Sequence, residues 1–454
     1  MSHKIPLLYS EPMTIKLPSC LTDYKDRRVV AVLLLGFSSG LPLLLTYSTL
    51  SAWLAKEGVS RASIGLFALV GTPYAFKFLW SPLLDRLPPP LRLGRRRGWG
   101  VTIQVLLMAA LLAMGQCRLP DDLGLLAACA VAVAFLSASQ DIVIDAYRVE
   151  LLDDETQGPG AGATQAGYRV AMLLAGAGAL FIADHFGWLA AYAAMAASLS
   201  VGIAVFLVMP EPSPKVSAQT IERERRAAEY LEARPHLHGM KAHILASLYG
   251  AVICPFAEFM TRRSWPVILV FVVGYKLGEA MAGSMAMPLY TSLGFSLTEV
   301  AEVSKVFGFF ATVVGSLLGG AMVVRLGPLK ALLLCGLLQS LGNLFYALQA
   351  TSGHSVTVLA LCVFAENLTG GMAGAAMVAY LSGLCNAAYT ATQYALLSSL
   401  AAVGRTLFAS SAGKLSESLG WVDFFLFTTV VTLPALALLL WLMAKARTSA
   451  VSTA

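Results

Sequence analysis

Apolar runs of about twenty residues recur some twelve times along this chain, and they constrain its fold more than any other feature. A run of that length matches the hydrocarbon core of a bilayer, which an α-helix crosses in ~20 residues. Inside hydrocarbon the backbone has no water to bond, so each run must satisfy its own N–H and C=O groups as a helix. The runs fall near 29–53, 63–86, 98–117, 124–148, 162–184, 188–209, 267–291, 300–325, 329–350, 356–384, 389–414 and 421–444. Only 13% of the 454 residues are charged and 57% are hydrophobic. Soluble domains carry about 25% charged residues, so the polar surface needed to face water on all sides is missing. The expected fold is an all-α polytopic membrane protein with about twelve transmembrane helices.

One long polar stretch divides the runs into six and six. The expected domains are an N-tail over 1–28, a six-helix bundle over 29–209, a central loop over 210–265, a second six-helix bundle over 266–445 and a C-tail over 446–454. The loop ends in "HILASLYGAVICPFAEFMTRR", apolar but short and interrupted by Pro255, which suits a helix lying at the membrane surface. Lys and Arg outside the spans number 23 on the side of the tails and central loop and four on the other. The positive-inside rule then places both termini and the central loop in the cytoplasm. The net charge of +6 follows from that topology and calls for no nucleic acid. Residues 1–28 are polar and lack an apolar core, so no cleavable leader is expected. The seven Cys are scattered with no CxxC pair, implying neither a disulfide frame nor a zinc site, and no cofactor is expected.

The halves echo each other. "GVSRASIG" (58–65) leads into the second run and "GFSLTEVA" (294–301) into the eighth. "ATQ" opens the fifth at 163–165 and the eleventh at 391–393, and "HFGW" (185–188) and "SLGW" (418–421) follow those helices. The matches keep the same order in both halves. A parallel duplication of this kind, with the solute site between the repeats, is a transporter pattern. Gly-x-x-x-Gly spacings at Gly36/Gly40, Gly274/Gly278, Gly315/Gly319 and Gly370/Gly374 suit close helix contacts.

Charges inside hydrocarbon carry the functional signal, because each costs ~2.5–3.5 kcal/mol even on the lenient insertion scale. Within "SASQDIVIDAYR", Asp145 lies beside Arg148 near a helix end, while Asp141 sits one turn deeper, ~10 Å inside Arg148, next to Gln140. Asp145, with Asp85, Arg86, Arg95, Arg96, Arg97 and Arg148 at the same membrane face, forms an expected cytoplasmic gate. Asp141 is the first candidate for proton coupling, followed by Glu366 and Glu279. Lys276 and Glu279 are three residues apart and either pair on their own helix or line a wet cavity. A cavity lined by Lys77, Arg169, Lys276 and Arg405 would attract an anionic solute. Gln140, Asn367 and Asn386 supply hydrogen bonds there, and Tyr168 and Tyr275 offer faces for sugar rings. Lys305 falls near the outer face, where it can snorkel. No Gly-rich phosphate loop, HExxH or GxSxG is present, which leaves neither an ATP motor nor a familiar enzyme site.

Several stretches together resemble the AmpG-type muropeptide permeases of the major facilitator superfamily. They are "GFSSGLPLLLTYSTLSAWL", "AFKFLWSPLLDR", "GRRRGW", "SASQDIVIDAYR", "YKLGEAMAGS", "ENLTGGM" and "ATQYALLSSLAAVGR". "LLDRLPPPLRLGRRRG" is similar to the superfamily's signature loop between spans two and three, with an insertion before the arginines. The resemblance implies a monomeric major facilitator fold in the bacterial inner membrane. It implies proton-driven import of N-acetylglucosaminyl-1,6-anhydro-N-acetylmuramic acid and its peptides, an anionic amino-sugar peptide, for wall recycling and β-lactamase induction. Other readings of the same residues are a carrier for another anionic solute such as an acyl-CoA, a non-transporting assembly factor, or a membrane enzyme.

Overall fold

The structure is a computed structural model that describes residues 23–59, 67–212, 225, 254–262, 264–303, 307–386 and 389–451. The runs become α1 (Arg27–Lys56), α2 (Ser81–Arg86), α3 (Arg95–Gly115), α4 (Leu123–Leu151), α5 (Gln157–Phe186), α6 (Trp188–Val208), α7 (Trp265–Ser292), α8 (Phe309–Leu326), α9 (Pro328–Ser352), α10 (Val356–Gly383), α11 (Thr390–Leu419) and α12 (Trp421–Lys445). Among the described residues, ten of these are long and apolar enough to span; α2 and α11 fall short for different reasons. The second run is a series of pieces, Phe67–Gly71, Thr72–Phe76, Lys77–Leu79 and then α2. Pro73 and Pro82 sit in the first turns of two of these pieces, where a proline's missing N–H restarts a helix rather than continuing one. By contrast α11 is continuous over 30 residues. Its Ser, Thr, Arg405, Lys414 and Glu417 lower its hydropathy without breaking it. Within the segment expected to lie at the membrane surface, Cys254–Met260 is helical, and residues 243–253 lie outside the described residues. Lys305 and most of the central loop lie outside the described residues.

Each half builds its own cores. In the first, Leu107, Leu111, Ala134 and Tyr192 pack around Trp53, which stacks on Trp188 at 5.1 Å. In the second, Phe271, Tyr275, Leu332 and Leu436 form one cluster, and Tyr290, Tyr346 and Phe425 another. Helices α1 and α5 approach so closely that the missing side chains of Gly36 and Gly40 face the backbones of Thr164 and Tyr168. The halves meet where α5 lies against α8 and α10, and where α4 and α2 lie against α11.

The internal repeat is visible in the turns. Gly58 and Gly294 take positive φ at the same place in each half, as do Gly94 and Gly327 ahead of α3 and α9, and Gly187 and Gly420 ahead of α6 and α12. Gly94 and Gly187 are 93 residues apart, and so are Gly327 and Gly420. This backbone region is one that side-chain-bearing residues rarely adopt.

Candidate functional site

At the end of the bundle that carries the basic loops, charged groups are fully enclosed. Arg96, 1% exposed, donates to Asp85 Oδ1 at 2.7 Å and to Glu150 Oε1 at 2.5 Å. Arg95 adds a 3.0 Å bond to the Asp85 carbonyl and a longer 3.5 Å pairing with Glu150. Glu211, at the start of the central loop, accepts from the backbone N–H groups of Arg96 and Arg97 at 2.7 and 3.0 Å. Those donors belong to the first turn of α3, which has no intrahelical partner for them. Asp85 Oδ2 does the same for the other half. It accepts from Thr392 N at 2.9 Å and Thr392 Oγ1 at 2.8 Å in the first turn of α11.

Further bonds cross between the halves at this end. Arg148, with no exposed surface, donates to Ser382 Oγ at 2.9 Å and lies 5.3 Å from the Tyr394 ring centroid. Tyr24 donates to the Leu317 carbonyl at 2.6 Å, and Gly158 and Gly320 let the backbones of α5 and α8 touch. The basic end is closed.

At mid-depth the polar groups form two clusters. In the first half, Ser39 donates to Asp141 at 2.5 Å, and Asp141 and Asp145 both lie within electrostatic reach of Lys77. Tyr74 and Tyr168 adjoin this cluster. In the second half, Lys276 pairs with Glu279 at 2.9 Å. Gly370 and Gly374 make room for that pair on α10, and Gln165 of the first half approaches Lys276 at Gly374. Glu366 lies beside the Tyr346 hydroxyl and within electrostatic reach of Arg169, Lys276 and Glu279. Arg169, on α5 of the first half, forms no ion pair among the described residues. Its Nη1 lies 3.9 Å from the Met172 sulfur, and its buried Nε has no partner among the described residues. A half-buried guanidinium between two bundles, with open donors, is a ready receiver for a carboxylate.

Several expectations change. Asp145 makes no latch to Arg95, Arg96 or Arg97. Its ion pair is with Arg148 on its own helix, at 3.7 Å, because three residues put the two side chains on one face. Arg97 binds the carbonyls of Phe206 and Leu207, closing the C-terminus of α6 rather than gating. The side chains of Arg86 and Arg405 lie outside the described residues. Lys276 is neutralised by Glu279 and Lys77 faces two aspartates, so a uniformly cationic chamber is replaced by mixed charge.

Three of the expected solute contacts are structural. Tyr275 is buried in the second half's core and donates to the Leu332 carbonyl at 2.8 Å. Gln140 is fully buried and ties α4 to α1 through the Ser38 carbonyl at 2.8 Å. Asn386 lies past the end of α10, where its N–H donates to Gln393 and its amide reaches Glu258. Asn367 bonds Thr312 of α8 and the Val363 carbonyl of its own helix. Glu150, Glu211, Glu258 and Thr392 were not among the expected site residues. Glu150, Glu211 and Thr392 meet partners more than fifty positions away, beyond any local spacing signal; Glu258 pairs with Arg262 one turn along as well as with the distant Gln393.

Two bundles built on repeated turns, with polar groups between them and a charged lock at one end, define a two-bundle secondary carrier. The Major Facilitator Superfamily model matches residues 30–301 and 267–453, and the chain belongs to that superfamily. Its particular family is that of the anhydromuropeptide permeases. It is 42% identical over 420 residues to the anhydromuropeptide permease of Escherichia coli K12, spanning 92% of this chain and 80% of that one. It is 34% identical over 426 residues to the Rickettsia felis transporter named AmpG 4, spanning 93% and 98%. The Escherichia coli relative is a permease, and the chain is a transporter rather than an enzyme.

Solved structures agree on the fold. The proton:xylose symporter XylE bound to 6-bromo-6-deoxy-D-glucose superposes with a TM-score of 0.60 at 13% identity, covering 92% of this chain and 95% of that one. The human organic anion transporter MFSD10 gives 0.59 at 16% identity, covering 91% and 99%.

Proposed function

We propose that this chain is a proton-coupled importer that carries anhydro-muropeptides from the periplasm to the cytoplasm across a bacterial inner membrane, working as a monomer with both termini cytoplasmic. The substrate class follows from the 42% identity to the Escherichia coli permease. The observation that carries the reading is Arg169, a guanidinium at the junction of the halves with no ion pair among the described residues, suited to a lactyl or peptide carboxylate.

With the basic end facing the cytoplasm, the bonds of Asp85 and Arg148 across the halves hold the cytoplasmic exit shut. Solute then enters from the periplasm and meets Arg169. Proton entry at Asp141 removes the charge facing Lys77, freeing that ammonium to balance an anionic group of the solute. Rocking of the halves breaks the Asp85–Thr392 and Arg148–Ser382 bonds and releases solute and proton inside.

The test is uptake of labelled anhydro-disaccharide into right-side-out vesicles, with and without an inward proton gradient. Concentrative uptake that disappears when the gradient is collapsed is the expected result. Gradient-independent uptake would remove the proton from the mechanism, and no uptake at all would remove the solute.

A further inference from the structure

A pocket of about 330 Å³ opens beside the mid-depth cluster, between α7, α10 and the segment preceding α8. Ala286, Met287, Val300 and Val363 give it apolar walls, and its polar groups are Glu366, Asn367 and Tyr290, whose hydroxyl is turned to the Cys362 sulfur at 3.6 Å. The bare Cα of Gly283 leaves the Glu366 carboxylate room on that side. Asn367 is engaged at both ends of its amide by Thr312 and the Val363 carbonyl. Glu366 has the Tyr346 hydroxyl on one side but forms no ion pair among the described residues, and the nearby Lys276 is held by Glu279 at 2.9 Å. The pocket therefore presents one available carboxylate at the end of an apolar recess, with no cation in its lining.

That chemistry suits a cation on an aliphatic stem, because a carboxylate in a sheltered site forms its strongest bonds to a charged donor. The volume is at the small end of the ~300–1,000 Å³ typical of small-molecule sites. A disaccharide-peptide cannot fit whole, so the recess takes one group of a larger solute. Arg169, within electrostatic reach of Glu366, supplies the opposite charge across the junction. A solute end bearing both a carboxylate and an ammonium would bridge the two. Resting on the muropeptide reading above, we propose that this pocket selects peptides carrying a primary ammonium on a short aliphatic side chain, with Glu366 pairing to the ammonium.

The experiment measures ligand-induced thermal shifts of the purified full chain with two synthetic anhydro-disaccharide peptides. They are identical except that the side-chain amine is free in one and acetylated in the other. The free amine is expected to bind about tenfold more tightly, the effect of one charge-assisted hydrogen bond. Glu366→Gln brings the two to parity, Glu366→Asp keeps part of the preference, and Ala286→Leu, which fills the recess, weakens the free-amine peptide. Equal affinity in the unaltered protein, or a preference that survives Glu366→Gln, overturns the proposal. Should no anhydro-sugar bind at all, it is the substrate reading that has failed. The pocket is then judged by the same ratio with lysine-containing tripeptides and their Nε-acetylated forms, where parity again overturns it.

Discussion

The basic end and the mid-membrane clusters use similar residues to opposite effect. At the basic end Arg96 and Asp85 each hold two or more strong partners, and Asp85 and Glu211 also accept from backbone N–H groups at helix starts. At mid-depth Arg169 has open donors, and Asp141 is bonded to a single serine. A charge surrounded by partners is part of the architecture, because removing one partner strands the others in a dry interior. A charge with few partners is available to a solute or a proton. The contrast separates groups fixed in the architecture from the groups proposed to handle cargo.

The sharpest way to break this contrast is Asp141→Asn. Accumulation driven by a proton gradient should be abolished while counterflow exchange of solute persists, and retained accumulation would place the proton elsewhere. Next in size is Arg96→Leu, which leaves Asp85 and Glu150 buried without a cation and should destabilise the protein by ~3–5 kcal/mol. Thermal denaturation in detergent reads this, and Arg96→Lys should be milder; an unaltered melting temperature would refute the enclosed triad. Arg169→Gln should raise the KM for an anionic solute about tenfold with little change in melting temperature. A large drop in stability would instead make Arg169 architectural.

Smaller effects sharpen the picture. Thr392→Val removes one bond across the halves but keeps the backbone N–H, so the closed state should lose about 1–2 kcal/mol. Cysteine labelling of positions near Ser382 should then rise, and an unchanged rate would count against Asp85 as a lock. The smallest effect is expected at Asp26, which caps α1 and is held below the ordinary carboxylate range by its bond to Arg28. Stability from this group is complete above the ordinary aspartate value and lost as pH falls through the lower folded one. Asp26→Asn should cost under ~1 kcal/mol at neutral pH, and the difference from the unaltered protein should vanish in strong acid.

Much of this was legible in the sequence where the rule is local. Hydrophobic length located the helices, and three-residue spacing anticipated the Lys276–Glu279 pair. The repeated "GW" turns pointed to the duplication that Gly187 and Gly420 display in their dihedral angles. What escaped depends on which face of a helix turns inward. Tyr275 and Tyr168 look alike in sequence, yet the first packs in a core and the second adjoins the Asp141 cluster. Of the acids expected in the lock, Asp85 does pair with Arg96, and Asp145 does not reach the loop arginines. Asp145 was chosen for its nearness to Arg148, whereas Glu150 and Glu211 reach the arginines only after the chain has folded.

The matched glycine turns lead to different things. Gly94 opens onto three arginines, of which Arg95 and Arg96 anchor the lock, while Gly327 opens onto Pro328, Leu329 and Lys330. A doubled scaffold thus carries an undoubled fastening, and the proposed rocking starts from unequal footing on its two faces. Ionic strength, which screens charge but hardly touches apolar contact, should shift the resting balance toward one side of the membrane.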